Sequence, residues 1–341
     1  MTDGAQMQLD LGIGPVCVGC PLQTACGAMR SSDACLPTWG DASYGGPNVL
    51  HPWRRDTKDY FADVGGPGYS EIVAKANDLP ALPFFTHQIR VRAGLRKQLA
   101  APAYLVAVKA VVDRRTVMPA AKLRHITGLS KDVVLGLMLF GKDEALERLW
   151  GQRNERVDRI AAAGYDFYVA PSFSNYSPRP RTEFLFNAKR SLYFFELLQD
   201  LGVVVIPRVC WLTDWDAERI ARWVNNNAAV TQVALDWSSS SPVAWRAETS
   251  LLRRFDDITG NRIAYLIHGP STRARAQELA AMLGRDRLHL TNARAISSPA
   301  PRGTPYRERF QRVHDEMDPP PAKTVRPSNA ENAPIVLPAR V

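Results

Sequence analysis

Four of the five cysteines, Cys17, Cys20, Cys26 and Cys35, lie within nineteen residues at the spacing C-x2-C-x5-C-x8-C. Thiolates gathered this closely suit a soft metal, whose valences they fill from one short stretch. Structural zinc sites usually carry two C-x2-C knuckles, or one knuckle paired with histidines. Here a single knuckle precedes uneven gaps, and no histidine comes before His51. An iron–sulfur cubane accepts such gaps because the cluster, not a backbone turn, sets the sulfur positions. Cys20 is followed by Pro21, as ligand cysteines of such clusters often are. Gly19 and Gly27 leave room for backbone amides to approach the sulfurs. The expectation is a [4Fe–4S] cluster on these four cysteines, with zinc as the alternative. With every sulfur engaged no iron is open to substrate, so the role is structural or electron-transferring. The C-x3-C-x2-C spacing of radical chemistry is absent from this segment.

A second group of residues could move protons or bind phosphate. Asp236 and His268 each end an apolar run, and a carboxylate and an imidazole converging from neighbouring strand ends could share a proton with a substrate. Their structural alternatives are a helix cap for Asp236 and a bond to a loop carbonyl for His268. Arg208 ends another run, as does Asn292, and Ser174 follows a third. Between Tyr176 and Arg190 the chain interleaves Arg179, Arg181, Lys189 and Arg190 with aromatic residues. Guanidinium forks and aromatic faces together suit phosphates and bases; a solvated loop stiffened by prolines is the plainer reading.

The elements that must position these groups repeat from about residue 100 onward. Seven short, nearly all-apolar runs recur: Tyr104–Val112, Val133–Phe140, Tyr165–Ala170, Val203–Val209, Val230–Leu235, Arg262–Ile267 and Leu288–Leu290. Such runs read as strands buried on both faces of a parallel sheet. Helical patterns alternate with them. Residues 143–163 place Leu146, Leu149, Trp150, Val157 and Ile160 on one face and end at Gly164; residues 187–201 end at Gly202 and residues 271–283 at Gly284. Thr213 and Asp216 have capping-box spacing at the head of another helix. Units of similar size without a G-x-G-x-x-G fingerprint favour an α/β, TIM-barrel-like fold of βα repeats. That barrel is either incomplete or takes its eighth strand from the N-terminal region. The expected organisation is a four-cysteine metal segment over 1–40, an irregular connecting region over 41–100, the barrel over 101–317 and a disordered, proline-rich tail over 318–341.

The 341 residues, 45% of them apolar and eight of them tryptophan, allow a large core and exclude global disorder. The start has no basic region and no apolar h-region, so no secretory signal is expected. No stretch approaches the roughly eighteen apolar residues of a membrane span, so no membrane partner is expected and the setting is cytoplasmic. Thiols stay reduced there, which disfavours disulfides in the cysteine cluster. The formal charge of +9 is compatible with a nucleic-acid or other phosphate-bearing partner, and equally with arginines spread over the surface.

Three local resemblances add to this reading. Cys17-Val18-Gly19-Cys20-Pro21-Leu22 resembles the start of iron–sulfur uracil-DNA glycosylases, and Val64–Glu71, with Gly65-Gly66-Pro67-Gly68, loosely resembles their active-site loop. Gly66 stands where that family has an acid, and His268-Gly269-Pro270-Ser271 precedes the Asn292 segment that the family places earlier. The central stretch from Gly164-Tyr165-Asp166 through Phe173-Ser174-Asn175-Tyr176 to Gly202–Trp211 resembles an uncharacterised domain family carried by phages, plasmids and bacteria. That resemblance implies a barrel-like α/β domain in a mobile-element setting and no particular activity. Gln8-Leu9-Asp10-Leu11-Gly12 resembles the bacterial sliding-clamp-binding peptide, with Gly12 replacing its aromatic anchor.

Overall fold

Each of the seven apolar runs supplies a strand, and an eighth strand precedes them, in a computed structural model that describes residues 61–89, 101–113, 116–173, 181–293 and 306–318. The cysteine segment, the Gln8–Gly12 strip, Ser174, Arg179 and the tail beyond 318 lie outside the described residues. The strands are β1 (Phe85–Ile89), β2 (Ala103–Ala107), β3 (Val134–Met138), β4 (Phe167–Val169), β5 (Val205–Ile206), β6 (Gln232–Asp236), β7 (Ala264–His268) and β8 (Leu288–Asn292). Neighbours pair in parallel in the order β5-β4-β3-β2-β1-β8-β7-β6. The two ends of that order meet. Val209 N donates to Ala234 O at 3.0 Å, and Ala234 N donates to Pro207 O at 2.8 Å. The sheet therefore closes into an eight-stranded βα barrel.

The first strand comes from the stretch read as a connecting region, so the barrel begins at Phe85 and not at 101. Its sequence, Phe-Thr-His-Gln-Ile, is buried along its whole length but carries three polar residues between Phe85 and Ile89, so it does not read as an apolar run. Thr86 and Gln88 face the barrel interior, in register with Thr291 and Leu105.

The helices are α1 (Val108–Val111), α2 (Ala120–Thr127), α3 (Asp143–Gly151), α4 (Arg153–Ala161), α5 (Arg181–Asp200), α6 (Asp214–Asn226), α7 (Pro242–Ile258), α8 (Arg273–Leu283) and α9 (Tyr306–Met317). The single helix expected over 143–163 is two, broken where Gln152 leaves helical geometry just after Gly151, yet its predicted apolar face is buried throughout. The capping box of α6 forms as its spacing indicated, with Thr213 Oγ1 accepting from Asp216 N and Asp216 Oδ2 accepting from Thr213 N. Among the described residues no helix is long and apolar enough to cross a membrane.

Two apolar layers hold the barrel. The larger lies between the strands' outer faces and the helices; the smaller fills the interior with Leu105, Met138, Phe140, Phe167, Val169, Ile206, Ala234 and Leu266. Gly136 admits Phe167 to this interior, since a Cβ there would sit 2.3 Å from the phenyl ring. Outside, residues 61–84 strap α5 and α6. Tyr69 and Ile72 are buried, and Trp223 Nε1 donates to Ile72 O at 2.8 Å. The Gly65–Gly68 loop belongs to this strap: Arg219 donates to Pro67 O at 3.2 Å and Lys189 to Gly68 O at 2.6 Å.

Three strand histidines are held neutral by burial. His87 is pushed down to about 3, first by desolvation and then by His314 of α9 beside it, with the two ring centroids 5.6 Å apart. Burial also lowers His268 and His289, partly offset by Asp236 and the Thr291 backbone for the first and by the Pro83 and Leu82 backbones for the second. In each case the unfolded chain takes up the proton first. The contribution of His87 is therefore full above the unfolded value near pH 6.5 and falls as pH drops from there toward 3, by about 1.4 kcal/mol per pH unit, and His268 and His289 act in the same direction. Denaturant midpoints measured between pH 7 and pH 4 should fall accordingly, and a His87→Phe variant should show a shallower fall.

Candidate functional site

The register that closes the barrel also brings together the ends of β5, β6 and β7. Asp236 pairs with His268 across β6 and β7, and Arg208, beside Ala234, continues the inward-facing row of β5. All three stand at the C-terminal ends of the strands, the end from which the βα loops of such barrels build sites. Gly269 allows the β7 exit to cross that of β6. Its φ is +125°, and a Cβ there would lie 2.4 Å from the Trp237 carbonyl carbon. Backbone bonds from Trp237 N to His268 O (2.7 Å) and from Gly269 N to Thr291 O (2.9 Å) hold these exits.

A cleft with two connected arms opens there. One, of about 640 Å³, is lined among others by Ser172, Arg208, Trp211, Asp236, Ser238 and Glu248. The other, of about 520 Å³, is lined by Gln88, Ala107, Met138, Phe140, Asp236 and His268. Gly141, Lys142, Asp236 and Ser238 border both. Both volumes fall in the range of about 300–1,000 Å³ typical of small-ligand sites.

Within the cleft, Gln88 Nε2 lies 2.8 Å from His268 Nδ1. An amide nitrogen can only donate, so Nδ1 accepts and the ring's proton resides on Nε2. Asp236 Oδ1 accepts from Ser238 N at 3.2 Å, an interaction that orients the carboxylate at the head of its loop. Arg208 is only 5% exposed, and its Nε and Nη1 have no hydrogen-bond partner among the described residues. Glu248 reaches the cleft from α7 and bonds Ser240 Oγ. Burial raises its carboxyl above the usual carboxylate range, with the charge of Asp236 adding to the rise and Ser240 and Arg275 opposing it.

Of Lys189, Arg190, Arg208 and Asn292, the described residues expected to bind ligand, only Arg208 lines this cleft. Lys189 and Arg190 are buried under the strap and against α3. Lys189 pairs with Glu71, and burial lowers its ammonium to about 8. Arg190 makes a two-pronged ion pair with Glu147, one prong at 2.7 Å, and its guanidinium sits 3.7 Å from the centre of the Phe173 ring. Their assignment as phosphate ligands is thus corrected. The reason was present in the sequence: α5 is apolar on nearly every face (Phe184, Leu185, Phe186, Leu192, Phe194 and Phe195 are all buried), and a helix enclosed on all sides must pair its cations internally. Asn292 faces away from the barrel interior, and its Nδ2 donates to Pro270 O at 2.8 Å, tying the β8 end to the β7 loop. Arg181 is the first residue of α5. Ser174 and Arg179 lie outside the described residues, as do the four cysteines; among the described residues no cluster of three or more His, Cys, Asp or Glu side chains could hold a metal.

Sequence reading missed Gln88 and Glu248. Glu248 follows Trp245 by three positions and precedes Leu252 by four, so it is an acid set into the buried stripe of α7, and that placement is the signal that could have found it. Gln88 sits in the unrecognised β1 and left no comparable signal. The same logic of buried charge generates a test. Glu147→Gln should lower stability by about 3–5 kcal/mol in denaturant titration, because Arg190 is then left as a buried, poorly compensated charge.

No curated protein matches this chain. Among solved structures it is similar in fold to the 4-hydroxy-2-oxoglutarate aldolase/2-deydro-3-deoxyphosphogluconate aldolase from TTHB1, at 15% identity over 67% of this chain and 90% of that one, with a TM-score of 0.38. Residues 105–232, from β2 to the first residue of β6, match the model of a family described as Domain of unknown function (DUF4417). The stretch that matches this model is the central region of the barrel, the part whose strand motifs resemble an uncharacterised family.

Proposed function

We propose that this protein is a barrel-type enzyme acting on a phosphate-bearing ligand of nucleotide or nucleic-acid character, bound at the mouth formed by β5, β6 and β7. One observation carries the reading: Arg208 is buried at the cleft with two guanidinium nitrogens lacking a partner among the described residues. A buried guanidinium with unmet hydrogen bonds is costly, so a fold that keeps one at a cleft is suited to an acceptor arriving from outside. The guanidinium fork matches phosphate geometry, and Lys142 adds a second positive group at the rim. Beside it, neutral His268 and Asp236 can pass a proton to or from the ligand, and Glu248, which keeps its proton to higher pH than an ordinary carboxyl, is placed to donate one. In the same reading Cys17, Cys20, Cys26 and Cys35 hold a [4Fe–4S] cluster with a structural or electron-transfer role, in a reducing, cytoplasmic setting; this part rests on their spacing.

Inorganic phosphate should raise the melting temperature of the wild-type protein and leave that of Arg208→Met unmoved. The variant's own stability should be unchanged or higher, since the substitution removes a buried guanidinium with two nitrogens lacking a hydrogen-bond partner among the described residues. Asp236→Asn and His268→Ala should retain the phosphate response while losing about 10²–10⁴ of any turnover found on phosphate esters. Turnover that survives both substitutions would show that Asp236 and His268 are not its acid and base; no turnover at all, with DNA affinity intact in both variants, would leave a non-enzymatic, DNA-associated role as the better account. Protein purified without oxygen should contain about four irons and matching sulfide per chain, with a broad absorption band in the near ultraviolet to visible. A colourless protein holding one zinc would make the cysteine segment a structural zinc module.

A further inference from the structure

The two arms of the cleft differ in chemistry, and the difference points to one class of ligand. Resting on the reading of Arg208 as the phosphate ligand, we infer that the substrate is a mononucleotide, with its phosphate in the Arg208 arm and its base in the arm between β1 and β3. The second arm is lined by Ala107, Met138 and Phe140, so it offers an apolar floor and an aromatic ring to a flat partner. Phe140 is itself held at the mouth by His268, ring centroids 5.9 Å apart. Apolar walls alone would accept any greasy group; Gln88 makes the arm selective. It is 4% exposed, and His268 holds its amide nitrogen, which fixes the plane of the amide. A glutamine amide so fixed still has an acceptor oxygen and a second N–H, the donor–acceptor pair that matches the edge of a base. Between the arms lie Lys142, Asp236 and Ser238, polar groups suited to the hydroxyls of a sugar.

The arrangement also separates a single nucleotide from a polymer. Base recognition here takes place inside the barrel mouth, among inward-facing strand residues, and not along an open groove that tracks a backbone.

The test is a titration calorimetry panel on the full chain with inorganic phosphate, ribose 5-phosphate, the four common nucleosides, their 5′-monophosphates and a short single-stranded oligonucleotide. The expected result is that at least one monophosphate binds ten-fold or more tightly than ribose 5-phosphate and than its own nucleoside. In a Gln88→Met variant that preference for one base should shrink several-fold while inorganic phosphate binds as before. Ribose 5-phosphate binding as tightly as every monophosphate would overturn the base arm and leave the Arg208 reading standing. Oligonucleotide binding tighter than any monophosphate would overturn the mononucleotide assignment. If neither phosphate nor any phosphate ester binds, the reading of Arg208 fails and this inference fails with it.

Discussion

The closure of the sheet between β5 and β6 is the constraint on which the rest of this molecule depends. β5 is the shortest strand, Val205–Ile206, and the join is made just beyond it, where the backbone of Pro207 and Val209 meets Ala234. Once this seam is closed, side-chain alternation along every strand is tied to a common interior, because a slip of one residue would turn a whole strand inside out. The seam therefore decides that Arg208, Asp236 and His268 share one mouth. It also sets the demand for small residues inside: Gly136 and Ala234 leave the volume that Phe167 and its neighbours occupy.

The protein treats its buried charges in two ways. Arg190 and Lys189 are enclosed with carboxylates supplied by other segments, Glu147 from α3 and Glu71 from the strap, so their charges are satisfied internally and they serve to dock α5. The buried Asp256 is likewise paired, accepting from the partly buried Arg287 at 2.7 and 2.9 Å. Arg208 is the contrast. It is equally buried, stands at a cleft, and keeps two nitrogens without a partner among the described residues. Buried ion pairs add little to stability in themselves, but a buried group with unmet hydrogen bonds is expensive, and this difference is what supports the proposed role of Arg208.

How much of this was legible in the sequence depends on the residue. The repeating apolar runs announced a parallel sheet because strands covered on both faces have no polar side to show, and the helix ends at Gly164, Gly202 and Gly284 were legible because each takes the left-handed backbone that glycine tolerates. The capping box at Thr213 and Asp216 was equally plain, since it is a local device with fixed spacing. β1 was hidden because its inward residues are polar, and the break at Gln152 because the apolar stripe continues across it. The rule that barrel sites are built where strands end pointed to Asp236, His268 and Arg208, and the structure places all three at the mouth. Lys189 and Arg190 were misread because a basic, aromatic stretch looks the same whether its cations meet solvent or a buried carboxylate.

The sequence by itself determined the class of fold, the succession of most elements and the identity of the groups at the strand ends, because these follow from local periodicity, capping and backbone preference. Only the tertiary structure decided which of those groups meet. Glu147 and Arg190 are 43 positions apart, Glu71 and Lys189 are 118 apart, and Gln88 and His268 are 180 apart. No local preference encodes a pairing at such separation. It follows from the closed register of the barrel and from the packing of helices and strap around it, which bury some charges with partners and leave Arg208 at the mouth with two nitrogens lacking a hydrogen-bond partner among the described residues.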